Sequence, residues 1–214
     1  MVGLIDPSIL APMLAFAWSR FKAGYQQPRW IRTFLWTQVF DVAQGSVFIL
    51  LALSHRNNQW FRHLSQPLVF FGFLWTMFQM APASRGRRLL YGACLSAGLV
   101  AAVVGTALDG MKWRNSVFTS TMCLVYLGLV TRELRAIFES NEGTHLTSLP
   151  AFWVLAALLV YSSGTLIFNA SSNYFLRTLP PHLLPIPWVV VGILHAIHEV
   201  MRAKVFLCPK PTSS

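Results

Sequence analysis

The sequence predicts an all-α fold: a polytopic bundle of seven transmembrane helices, N-terminus outside and C-terminus in the cytoplasm. Three observations predict it. Seven apolar stretches approach the length of a membrane span, only 11% of residues are charged in a chain that is 55% hydrophobic, and the basic residues gather in alternate connections. A soluble domain carries roughly 25% charged residues, so a chain of this composition lacks the polar surface to cover a water-facing fold. No charged block is dense enough for a separate soluble domain. Residues 1–214 therefore read as one transmembrane domain, with 207–214 a short cytoplasmic tail.

A helix needs about 20 mainly apolar residues to cross about 30 Å of hydrocarbon. The first expected span, 4–21, is the shortest and carries Asp6, Pro7 and Pro12 near its start. Pro7 suits a first helical turn, where its missing N–H has no partner anyway, and Asp6 lies at the positive end of the helix dipole. A signal peptide would need a basic region before the apolar stretch and a small-residue cleavage site; neither is found. The spans that follow are 30–53, 60–81, 89–108, 117–137, 149–169 and 186–206. Pro67 in the third removes a backbone donor and predicts a kink. The fourth is rich in small residues (Gly92, Ser96, Ala97, Gly98, Ala101, Gly105). Such spacings let helix backbones approach closely, which predicts a central or tightly packed helix.

Orientation follows from Lys and Arg. With the N-terminus outside, the cytoplasmic segments hold Arg20, Lys22, Arg29, Arg32, Arg85, Arg87, Arg88, Arg132, Arg135, Arg202, Lys204 and Lys210. The outer segments hold only Arg56, Arg62, Lys112, Arg114 and Arg177. Positive charge favours the cytoplasmic side, so seven spans give N-out and C-in. Trp18, Trp30, Trp60, Trp113, Trp153 and Trp188 lie near span ends, where amphipathic rings favour the headgroup layer. The net charge of +10 thus reads as topology; nucleic-acid binding would need basic residues concentrated on one folded face. Cys94, Cys123 and Cys208 are odd in number and lack metal-ligand spacing, which argues against a disulfide framework.

Ionisable residues inside the bilayer are expensive, about 2.5 to 3.5 kcal/mol each at a helix centre, so the few present carry the functional expectation. Asp41 lies roughly 13 Å from Arg32 at 1.5 Å per residue, near the midplane. Thr37, Asp41 and Gln44 share one helix face, with Gln38 adjoining it. In the last span His195, His198 and Glu199 share a face by i, i+3 and i+4 spacing. The second and seventh helices of a sequentially wound bundle both adjoin the first, so Asp41, His195, His198 and Glu199 are expected to form one polar cluster. Three readings of that cluster stand: interhelical hydrogen-bonding glue, a ligand or proton site, or a zinc site using all four side chains.

His-x-x-His-Glu is not the His-Glu-x-x-His helix of zinc proteases. The combination of a second-helix Asp with seventh-helix histidines resembles intramembrane hydrolases of the ceramidase and adiponectin-receptor type. Their His-x-x-x-His spacing and additional early His are absent here. Lys204 lies too near the cytoplasmic end for a retinal lysine, and the third and seventh spans lack the acidic-Arg and Asn-Pro-x-x-Tyr signatures of rhodopsin-like receptors. No internal repeat of the kind that builds many transporters is seen.

The last third carries Pro150-Ala-Phe-Trp-Val154, Leu159-Val-Tyr-Ser-Ser-Gly164, Phe168-Asn-Ala-Ser-Ser-Asn-Tyr174 and Val191-Gly-Ile-Leu-His195. This stretch, within 150–206, resembles an uncharacterised bacterial family of small seven-helix membrane proteins often encoded beside sensor histidine kinases. The resemblance implies a sensory or partner-coupling role in the bacterial inner membrane, with no catalytic residues to carry over. The expected function is a non-enzymatic module, without a cofactor, whose cluster binds a ligand or a proton and signals to a cytoplasmic protein such as a histidine kinase. An intramembrane zinc-dependent lipid hydrolase and a small-solute transporter are the alternatives. Two outer polar features, Arg62 to Gln66 and Asn169 to His182, and a cytoplasmic loop from Glu133 to His145 carrying Glu139 and Glu142, are further candidate contact regions.

Overall fold

The structure, a computed structural model, describes residues 12, 15, 28–54, 58–140, 145–180 and 182–208. Six α-helices follow in chain order: α1 (Arg29–Leu53), α2 (Gln59–Gln79), α3 (Arg85–Asp109), α4 (Ser116–Ser140), α5 (Pro150–Thr178) and α6 (Pro185–Leu207), with a single 3-10 turn at Leu146–Ser148 before α5. They correspond to the second through seventh expected spans. Of the first span only Pro12 and Ala15 are described, both helical and buried; the rest of 4–21, like Glu142, lies outside the described residues.

The helix ends follow local chemistry. Ser84 Oγ accepts from the Arg87 N–H at the start of α3, and Asn115 Oδ1 accepts from the Phe118 N–H at the start of α4; such caps satisfy amides that a helix leaves unpaired. Gly110 closes α3 at φ 71°, a backbone conformation costly for a residue with a Cβ. Asp109 Oδ2 then accepts from both the Ser116 N–H and hydroxyl at 2.8 Å, tying the two ends of that connection together. α5 and α6 each begin with proline in the first turn, the position where it is tolerated best.

The packing is inverted relative to a water-soluble protein. Trp36, Val103, Leu108, Ile167 and Leu50 are each at least 65% exposed, while Gln38, Glu133, Asn169, His198, Glu199 and Arg202 are buried. Apolar surface outside and satisfied polar groups inside is the arrangement that hydrocarbon demands. Four helices, α1, α3, α4 and α5, are long and apolar enough to cross a membrane. The chain is therefore an all-α, multi-pass membrane protein. α2 and α6 match the expected spans in position, but the polar residues they carry dilute their apolar character: Arg62, His63 and Gln66 in α2, and His195, His198, Glu199 and Arg202 in α6.

α4 lies against both α3 and α5, and α5 in turn against α6. Phe70 of α2, fully buried, meets the rings of Phe118 and Tyr126 of α4 at 5.7 and 5.4 Å, and Phe73 continues the aromatic core to Phe34 of α1 at 6.1 Å. α3 corrects one expectation. Its small residues create one close-packed face but do not make it central, for Leu89, Leu95, Leu99, Val100, Val103 and Leu108 on its other sides are exposed. The packed face is tight: a Cβ at Gly98 would lie 2.3 Å from Phe70, and one at Gly105 only 1.8 Å from Asn115 Oδ1. Pro67 lies within α2, which continues as one helix from Gln59 to Gln79.

Candidate functional site

Asp41 lies at the middle of α1, and His195, His198 and Glu199 lie on one face of α6; Arg202, one turn further along α6, joins them. Its side chain is 2% exposed. Arg202 Nη1 donates to Glu199 Oε1 and, at 3.3 Å, to Asp41 Oδ2, so one guanidinium bridges two helices through two carboxylates. Gln44, one turn along α1, donates to the other Asp41 oxygen at 2.8 Å. His198 Nδ1 lies 3.4 Å from Glu199 Oε1, away from hydrogen-bonding direction, and His195 Nε2 lies 3.8 Å from the same oxygen. Three nitrogen-bearing side chains thus converge on one carboxylate oxygen.

The surroundings hold this arrangement in place. Tyr161 of α5 stacks on the His198 ring at 4.7 Å and meets His195 edge-on at 5.9 Å. Phe73 of α2 presents its face to the Arg202 guanidinium at 4.4 Å, a contact that stabilises a desolvated cation. A cavity of about 90 Å³ opens here, lined by Asp41, Gln44, Gln66, Tyr161, His195 and Arg202 among others. At about 30 Å³ per molecule that is room for about three waters. Arg202 Nε and Nη2, both His198 nitrogens and Gln44 Oε1 have no protein partner. Unpaired buried polar atoms are costly, so this group is suited to a polar occupant or an exchangeable proton.

The structure draws the expected residues together unevenly. Asp41, Gln44, His195 and His198 border the cavity, and Glu199 joins them through Arg202. Gln38 is buried on α1 with its Nε2 unpaired, outside the cavity lining. Asp41 takes Arg202 and Gln44 as partners in place of the expected histidine. Sequence reasoning assigned Arg202 to the cytoplasmic boundary and overlooked Tyr161. The signal for Arg202 was its position three residues after Glu199 and four after His198, on the cluster's own face.

His195, His198 and Glu199 bring their ligand atoms within 4.8 Å of one another. They do not suit zinc as they stand, because the Glu199 oxygen nearest both histidines is the one Arg202 holds, and a divalent cation there would meet the guanidinium at close range.

Two further buried networks tie the bundle ends. Arg87 of α3 donates through Nη1 to both Glu133 oxygens at 2.8 Å and through Nη2 and Nε to the Met77 and Phe78 carbonyls at the end of α2. Tyr91 donates to Glu133 at 3.1 Å. The expected loop from Glu133 is therefore corrected: residues 133–140 belong to α4, and Glu133 is internal because Arg87 neutralises it. At the opposite end Arg114 donates to Asn169 Oδ1, and Asn173 exchanges hydrogen bonds with the Arg114 backbone N–H and C=O. The Arg114 guanidinium faces Phe168 and Trp188 at 5.3 and 5.5 Å, and burial pulls its pKa below the usual arginine value. Asn169 to Thr178, expected as a loop, is helix for the same reason: α5 continues because its asparagines are satisfied by this connection. His63 is likewise internal, 2.8 Å from Thr106 Oγ1 and donating to the Trp113 carbonyl at 2.9 Å.

No protein-family model, curated protein or solved structure matches the chain, and the functional reading rests on the geometry above.

Proposed function

We propose that the protein is a non-enzymatic, seven-helix sensory or signal-coupling module of a bacterial inner membrane, N-out and C-in, whose intramembrane cluster binds a proton or a small polar ligand. The observation that carries this reading is the convergence of Arg202, His195 and His198 on Glu199 Oε1. Two carboxylates, Asp41 and Glu199, face one guanidinium, leaving room for one more positive charge. A proton on His195, the most exposed of the converging groups, competes with Arg202 for Glu199. As pH falls the guanidinium turns toward Asp41; as pH rises it returns. The other charged or titratable groups nearby are Arg62 of α2, Tyr126 of α4, Tyr161 of α5 and His198 of α6.

The path to the cytoplasmic side is short. Arg202 and Phe206 of α6 both pack on Phe34 of α1, at 6.0 and 5.8 Å, so rotation of the guanidinium bears on the last turn of α6. A cytoplasmic partner such as a histidine kinase would read that movement. The test places an environment-sensitive dye on Cys208 in a Cys94→Ser background, in nanodiscs. Dye emission is expected to change with pH in this protein and to lose the change in His195→Gln and Arg202→Met. A flat response in the unsubstituted cluster defeats the reading, and stoichiometric zinc with lipid turnover would replace it by the hydrolase.

A further inference from the structure

A second cavity, about 390 Å³, lies in an open groove between α2 and α3, remote from the charge cluster. Phe71, Trp75 and Phe78 of α2 form one wall; Arg88, Gly92 and Leu95 of α3 form the other. Trp75 is 56% exposed and stacks on Phe78 at 5.4 Å, making a flat apolar side. Gly92 leaves the opposite side open, since a Cβ built there would meet nothing within 4 Å.

The groove ends in positive charge. Of the three arginines that open α3, Arg87 turns inward to Glu133, whereas Arg85 and Arg88 are exposed and have no ion-pair partner among the described residues. They stand at the N-terminal end of a membrane-crossing helix, where the helix dipole also favours an anion. A long apolar trough with a cationic end at headgroup depth matches an amphiphile with an acidic head. A second copy of the chain offers poor charge complementarity. Among the described acidic residues Glu133 and Glu199 are buried in ion pairs, Asp41 is held by Arg202, Glu139 is paired with Arg135 at 2.7 Å, and Asp109 lies at the opposite end of α3.

We infer that this groove is a binding site for one anionic phospholipid, with an acyl chain lying along Trp75 and Leu95 over Gly92 and the headgroup phosphate on Arg88 and Arg85. Tyr91 belongs both to the groove wall and to the Arg87–Glu133 network, so the bound lipid buttresses the junction of α2, α3 and α4.

The experiment is native mass spectrometry of the full chain in mild detergent, titrated with phosphatidylglycerol or phosphatidylcholine. One phosphatidylglycerol is expected to be retained in preference to phosphatidylcholine. Arg88→Gln should weaken phosphatidylglycerol about fivefold, the usual worth of one basic residue at a lipid surface, and leave phosphatidylcholine unchanged; Arg88→Lys should restore the preference. Gly92→Leu, which fills the groove without a clash, should weaken both lipids about tenfold, equivalent to two methylenes kept out. Equal retention of the two lipids, or a preference that survives both Arg88→Gln and Gly92→Leu, overturns the assignment. A lipid-free dimer abolished by Gly92→Leu would give the groove to a second copy and overturn it as well.

Discussion

Replacing Arg202 by Met removes the guanidinium while keeping much of the apolar stem, and the geometry sets the cost. Arg202 and Glu199 side chains are 2% and 3% exposed, so losing their bond strands a buried carboxylate; breaking such a pair from one side costs about 3–5 kcal/mol. Asp41 is 25% exposed, lies further from Arg202 at 3.3 Å, and keeps Gln44 as a donor, so its share is under about 1 kcal/mol. Arg202→Met is therefore expected to lose about 4 kcal/mol, most of it recovered when Glu199→Gln is added and little when Asp41→Asn is added. Denaturation by sodium dodecyl sulfate in mixed micelles, followed by circular dichroism, measures each variant and closes the double-mutant cycle. A loss below about 1 kcal/mol, or greater recovery from Asp41→Asn than from Glu199→Gln, would refute the assignment of Glu199 as the principal partner.

The same unfolding assay checks three further expectations. Gly105→Ala drives a methyl into Asn115 Oδ1, the cap of α4, and should cost about 2–3 kcal/mol, whereas Gly92→Ala enters open space and should stay within about 0.5 kcal/mol of the parent. Glu133→Gln leaves Arg87 with carbonyl partners only and should cost about 2–3 kcal/mol. Arg114→Lys keeps the charge but loses the planar contacts to Phe168 and Trp188 and the bond to Asn169, for about 1–2 kcal/mol; stability equal to the parent would mean that the guanidinium shape is immaterial.

The helices were legible because hydrocarbon length and the cost of unpaired backbone act on every residue of a span. Hence five of the six described helices begin within one residue of the expected span. α3 begins earlier, at Arg85, because Ser84 caps it and Arg87 is used internally. What the sequence hid was the use of cations inside the bundle. Arg87 and Arg202 counted as cytoplasmic anchors, and only three-dimensional packing reveals that each neutralises a carboxylate from another turn or helix. Asn169 and Asn173 read as loop residues for the same reason, since their partner Arg114 lies more than fifty positions away. The small-residue face of α3 was legible as close packing; its peripheral place was not, because a stripe of glycine and alanine says nothing about what covers the other side of a helix.

The competition at Glu199 is tested most directly by solid-state NMR of isotope-labelled protein in lipid bilayers, measuring the distance from the Arg202 guanidinium nitrogens to the Glu199 carboxyl carbon as pH is lowered. The proposed mechanism predicts a short separation that lengthens on acidification while a new contact appears between protonated His195 and Glu199. A separation that stays short throughout, with an unchanged His195 ring, would contradict it.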